Sequence, residues 1–164
     1  MSKEKFELSK KEGIHKELAS LAGEWQGRMF TMFENGKIVN EADVSGSMKL
    51  VLGGRFILHE YKSSFGDDPI EGIAIYGYHI DRKKFESVWI ESFGMGTAIM
   101  FSEGNHSETD ISFLGHYEDP SSDSKWGWKT TIQKIDENQI LIIAENFSPE
   151  GREAGGVKII YHRV

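Results

Sequence analysis

Lys125-Trp126-Gly127-Trp128-Lys129-Thr130-Thr131-Ile132-Gln133 alternates with a period of two: Trp126, Trp128, Thr130 and Ile132 share one face, and Lys125, Gly127, Lys129, Thr131 and Gln133 the other. Successive side chains of a β-strand point to opposite sides of a sheet, so this stretch reads as a strand with one face turned to an interior. The same parity sets Ile111, Phe113 and Tyr117 against Asp110, Ser112 and His116, and Val157, Ile159, Tyr161 and Arg163 against Lys158 and His162. Nearer the start, Trp25, Gly27, Met29, Thr31 and Phe33 share a face, although Phe30 and Met32 make the opposite face apolar as well. Phe85, Ser87, Trp89 and Glu91 mix aromatic and polar groups, as an interior that recognises the polar end of a ligand requires.

Outward from these segments the chain is punctuated by turn signals. Asn35-Gly36 is a hairpin dipeptide between 25–33 and 38–50. Gly53-Gly54, Gly66-Asp67-Asp68-Pro69 and Asp81-Arg82-Lys83-Lys84 separate strands predicted over 55–63, 70–80 and 85–92. Gly94 and Gly96 precede a strand at 97–101, and strands at 109–117, 125–134, 139–147 and 153–164 complete the set. About ten strands with short connections predict an all-β fold, a closed antiparallel up-and-down barrel. The ends of the chain support closure. Gly23-Glu24-Trp25 opens the first strand and Tyr161-His162-Arg163 closes the last, and an indole beside a guanidinium gains roughly 0.5 to 2 kcal/mol where edge strands must meet.

The helical stretch is Glu12 to Leu21, where Ile14, Leu18 and Leu21 fall on one face and suit a plug over one barrel end; His15, on its flank, reads as a packing residue. Residues 1–11, with Lys3, Lys5, Lys10 and Lys11 among Glu4 and Glu7, read as a flexible leader before a single domain over 12–164.

Composition narrows the function classes. The 164 residues carry 19 Lys and Arg against 26 Asp and Glu, a net charge of −7, which repels phosphate backbones and anionic lipid. Neither nucleic acid nor a membrane is expected as a partner. The absence of cysteine removes disulfides and thiolate chemistry. No apolar run approaches the roughly 20 residues that span a bilayer, and a cytoplasmic location is expected.

With these residues placed, the chain resembles the bacterial domain of unknown function 1579 family, a lipocalin-like, calycin-type barrel family. The similar stretches are Leu21-Ala22-Gly23-Glu24-Trp25-Gln26-Gly27, Leu52-Gly53-Gly54-Arg55-Phe56 with Glu60-Tyr61, and Glu71-Gly72 with Gly77-Tyr78. Trp89-Ile90-Glu91-Ser92, a turn at Ser102-Glu103-Gly104, Tyr117 with Asp119-Pro120, and Tyr161-His162-Arg163 continue the likeness from about Leu18 to the C terminus. The family pattern carries Gly-Tyr-Asp and Trp-x-Asp-Ser where this chain has Gly77-Tyr78-His79 and Trp89-Ile90-Glu91-Ser92. The resemblance implies a barrel and no activity.

The leading expectation is a barrel that holds a small hydrophobic or aromatic molecule without chemistry, its apolar lining being Trp25, Met29, Trp89, Phe113, Trp128 and Tyr161 and its polar anchors Glu91 and Arg163. A catalytic alternative uses Glu91 as acid or base, paired with Glu60 if the barrel brings them together, with Arg55 or Arg163 neutralising a buried carboxylate. Six histidines lack metal-ligand spacing, and His162, on the last strand, points outward where a nitrobindin-like haem barrel would need an inward ligand; no metal or cofactor is expected. A third expectation is a homodimer through an outward patch of Phe30, Met32, Ile143 and Ile160.

Overall fold

In the computed structural model, which describes residues 2–107 and 110–164, ten strands each pair antiparallel with their neighbours in sequence, and the last returns to the first. They are β1 (Gly23–Met32), β2 (Ile38–Val51), β3 (Phe56–Phe65), β4 (Asp68–His79), β5 (Lys84–Glu91), β6 (Met100–Asn105), β7 (Ile111–Asp119), β8 (Ser124–Asp136), β9 (Gln139–Phe147) and β10 (Glu153–Arg163). The closed up-and-down barrel is thus the fold the alternation predicts, and each of these strands has a neighbour on both sides. The hairpin dipeptide behaves as its composition demands, with Asn35 at φ 68°.

Two helices precede the barrel, α1 (Lys3–Glu12) and α2 (Ile14–Ala19). The segment read as a leader is therefore helical, and the helix expected over 12–21 is shorter and begins after a break at Gly13. The Ser2 hydroxyl accepts from the Lys5 amide at the start of α1, and Phe6 is 1% exposed. One buried phenyl among charged residues makes no periodic signal, which is why patterning misses this helix. Phe6 meets the His15 ring edge-on at 5.0 Å, and the Arg55 guanidinium lies 4.3 Å above Phe6. The Ser9 hydroxyl pairs with His15 Nδ1 at 2.8 Å, which makes His15 the packing residue the sequence suggests.

The sixth strand also differs from expectation. The sixth strand occupies 100–105 rather than 97–101, because a turn closed by the Ala98 amide on the Met95 carbonyl holds 95–98 out of the sheet. Ser102, Glu103 and Gly104 accordingly pair with β5 instead of forming a turn. The predicted start of the seventh strand at Thr109 lies outside the described residues.

Closure rests on the two ends of the chain. Trp25 pairs with Arg163 across β1 and β10, and the guanidinium carbon lies 4.2 Å from the indole centroid. The same guanidinium donates to the carbonyls of Ala22 (2.6 Å), Ser20 (3.1 Å) and Glu137 (2.7 Å). Gly23, at φ 150°, makes room for it, since a β-carbon there would stand 2.2 Å from Arg163 Nη1. Trp25 Nε1 donates to the Leu21 carbonyl at 3.0 Å. One arginine thus ties together the last strand, the first strand and the exit from α2. Arg163→Ala removes these charge-assisted hydrogen bonds and the cation–π contact, so stability falls by about 2 kcal/mol, and Arg163→Lys recovers less than half of it. Urea unfolding at constant m reads this; a loss below about 0.5 kcal/mol means the clasp does not hold the barrel.

Candidate functional site

In an up-and-down barrel the height of a side chain follows from its place along the strand. α2 covers the end where β1 begins, so inward residues early in odd strands and late in even strands lie beneath the helices. Trp25, Met48, Ile57, Phe85, Ile132 and Ile140 occupy such places and are at most 1% exposed. They fill that half solidly with Leu18 and Leu21. The opposite half encloses a cavity of about 360 Å³.

Its walls are aromatic and aliphatic. Trp89 and Trp128 stack with centroids 5.5 Å apart and planes at 11°. Met29, Met100, Ile142 and Ala144 also line it. At the mouth Phe65 stacks on Phe93 at 5.3 Å, beside Met32, Phe33 and Met95. Sparse polar groups interrupt this lining: Ser87, Thr130, and Asn146, whose Oδ1 accepts from the Tyr117 hydroxyl at 2.8 Å.

A polar layer forms the cavity floor. His59, 1% exposed, places Nδ1 3.0 Å from the Tyr76 hydroxyl and Nε2 3.1 Å from that of Tyr161. Burial drives its pKa down to about 3, so the imidazole is neutral at neutral pH. Burial likewise pushes the Tyr61, Tyr76 and Tyr161 phenols up, and all three stay protonated. Above the floor, Trp89 Nε1 donates to the Tyr61 hydroxyl at 2.9 Å.

Two glycines create the space for these rings. Trp25, Gly46, Tyr61, Gly72 and Glu91 form one row across β1 to β5. A β-carbon at Gly46 would stand 2.3 Å from the Tyr161 hydroxyl oxygen, and one at Gly72 would stand 2.1 Å from Tyr61 Cζ. The tyrosines lie flat over these bare backbones, a device that curved sheets use at interior glycines.

Of the eight residues expected at the site, Met29, Trp89, Glu91 and Trp128 stand together around the cavity. Trp25, Phe113 and Tyr161 belong to the filled half, and Arg163 to the clasp. Parity distinguishes inside from outside but not height, which is why filling and lining residues look alike in sequence. Parity alone does not bring His59, Tyr61 and Tyr76 to the site. Their signal is the height rule combined with the helix preceding β1.

The carboxylates are not brought together either. Glu60 is on the outer surface, 3.8 Å from Lys49, whereas Glu91 accepts from the backbone amides of Phe93 and Gly94, the latter at 2.9 Å. Neither Arg55 nor Arg163 neutralises Glu91, because their guanidinia are committed to Phe6 and to the clasp. Met32 also departs from expectation. A register shift between Thr31 and Met32 turns its side chain to the cavity mouth, so it leaves the proposed outer patch, while Phe30, Ile143 and Ile160 are half-buried. His162 is exposed, as its parity predicts.

The model of a family described as protein of unknown function (DUF1579) matches residues 10–163. No curated protein matches the chain. Among solved structures, the S-type phycobiliprotein lyase CPES from Guillardia theta is 10% identical over 92% of each chain, with a TM-score of 0.60. A de novo designed fluorescence-activating β-barrel is 16% identical over 90% of this chain and 96% of its own, with a TM-score of 0.47. A protein of unknown function from the DUF3598 family of Nostoc punctiforme is 14% identical over 89% of this chain and 48% of its own, with a TM-score of 0.43. At 10% identity the first likeness is one of fold alone.

The neutral His59 makes stability depend on pH. Its folded pKa lies below that of the unfolded chain, which takes up a proton near pH 6.5 that the native state refuses. Stability is therefore full above about pH 6.5 and falls as pH drops toward 3, at up to about 1.4 kcal/mol per pH unit from this group. His15, lowered by burial and by Arg55, acts in the same direction. Between pH 7 and 5, before carboxylates titrate, the slope of unfolding free energy against pH flattens in His59→Gln; an unchanged slope rules out His59 as its source.

Proposed function

The chain belongs to the DUF1579 family, and from the architecture of its barrel we propose that it is a non-catalytic container for a small apolar or aromatic molecule. The observation that carries this reading is the cavity of about 360 Å³, within the 300–1,000 Å³ typical of ligand sites, in a barrel whose other half is filled solid. Protein interiors otherwise pack to the density of organic crystals, and empty apolar space lowers stability, so a retained cavity calls for an occupant. Met29, Trp89 and Trp128 are the proposed apolar contacts. Glu91, held by loop amides, shapes the rim. Among the described residues that line the cavity it is the one carboxylate. The proposed location is the cytoplasm, in keeping with the net charge of −7; among the described residues no helix is long and apolar enough to cross a membrane.

A second reading, self-association, draws on a different face from the one the sequence suggested. Ile73 pairs with Ile90, Ile75 with Val88, and Val88 with Phe101, all outward, and Phe101 is 53% exposed. A homodimer covering this stripe would bury it.

Titration with N-phenyl-1-naphthylamine tests the container: its emission rises on binding and tryptophan emission falls. Ala144→Phe, which fills the cavity from β9, lowers affinity at least tenfold while the fold persists by far-UV circular dichroism, and Glu91→Gln changes affinity less than twofold. Probe binding indifferent to Ala144→Phe overturns the assignment. Light scattering tests the stripe, where a dimer is expected to become a monomer in Phe101→Glu; a monomeric parent protein rules it out.

A further inference from the structure

The cavity floor carries a hydrogen-bond account that can be closed atom by atom. A neutral imidazole has one N–H and one bare nitrogen, so of the two phenols at His59 one donates and the other accepts. The accepting phenol keeps its own hydrogen for another partner. Tyr161 is fully buried in the filled half and has no acceptor other than His59 among the described residues. Tyr76 lines the cavity. Buried polar hydrogens are paired, so Tyr161 donates to Nε2, Nδ1–H donates to Tyr76, and the Tyr76 hydrogen is directed to the cavity. The same count applies to Tyr61. Its oxygen already accepts from Trp89 Nε1, and its hydrogen has no acceptor among the described residues.

Both phenols border His59. The His59 ring lies 5.1 Å from that of Tyr61 and 5.9 Å from that of Tyr76, centroid to centroid. Two donors therefore line the cavity that the Trp89–Trp128 stack also walls, with Trp89 tied by its own indole nitrogen to one of them. Glu91 stands on the same row as Tyr61, across Gly72, and its negative charge disfavours an anionic oxygen there.

Resting on the container reading above, we infer that the ligand is a flat aromatic molecule bearing a neutral carbonyl, its ring against Trp89 and Trp128 and its oxygen accepting from the Tyr61 and Tyr76 hydroxyls. The constellation supplies two donors in an apolar enclosure, the arrangement that separates a carbonyl compound from a hydrocarbon of equal shape. A site built to donate discriminates strongly, because leaving both hydroxyls unpaired costs more than losing contact area.

The test displaces N-phenyl-1-naphthylamine with three matched competitors: 2-acetylnaphthalene, 2-ethylnaphthalene and 2-naphthoate. The acetyl compound binds about tenfold tighter than the ethyl compound, as two net hydrogen bonds warrant, and the carboxylate binds weakest of the three. Its carbonyl stretch moves to lower wavenumber in the complex with the acetyl compound. Tyr61→Phe and Tyr76→Phe each cost the acetyl compound about fivefold and leave the ethyl compound within twofold. The ordering in the unaltered protein decides the matter even if a variant folds poorly. Equal affinity for the acetyl and ethyl compounds, or preference for the carboxylate, overturns the carbonyl assignment and leaves the container intact. Failure of the fluorescent probe and all three competitors to bind overturns the container reading and this inference with it.

Discussion

The barrel depends on the contact between Arg163 and Trp25. An all-antiparallel sheet of this size has two edges to satisfy, and here they satisfy each other by pairing β1 with β10. The guanidinium covers the indole and takes the carbonyls of Ser20 and Ala22, which follow α2. Closing the cylinder and capping its end are therefore a single event. Tyr161, two residues before Arg163 on the same strand, brings the clasp within 6.2 Å of the cavity floor through its ring contact with Trp25.

From that clasp the interior divides into two media. Beneath the helices, packing is dense and apolar, and burial provides the stabilisation. Beyond His59 the chain leaves space. The boundary is a hydrogen-bonded layer of one imidazole and two phenols, with the Tyr61 phenol above it, all uncharged, because none can carry charge so far from water. Such a layer holds the tyrosine rings in fixed positions, and the bare backbones of Gly46 and Gly72 let those rings lie against the sheet. A rigid floor beneath an apolar chamber is suited to binding, since the donors are positioned before a ligand arrives.

Much of this was legible beforehand. The alternation from Lys125 to Gln133, the Asn35-Gly36 turn and the pairing of Trp25 with Arg163 rest on local rules of pleat, turn and charge. Met29, Trp89, Glu91 and Trp128 were recognisable as inward residues, and they do surround the cavity. Trp25, Phe113 and Tyr161 were equally recognisable as inward, yet they fill the opposite end. The helix at Lys3–Glu12 leaves no periodic signal because one buried phenyl, Phe6, anchors it.

Sequence by itself determined most of the strands, most of their inward faces and the closure of the first upon the last, because each follows from neighbours in the chain or from a strong pairwise preference. Only the tertiary structure decided which inward side chains fill and which line, which of Glu60 and Glu91 faces the interior, and that His59 meets Tyr76 and Tyr161. Those outcomes depend on height along the barrel axis and on side chains distant in sequence meeting across the interior, as His59 and Tyr161 do from 102 residues apart. A period of two along one strand carries no information about either.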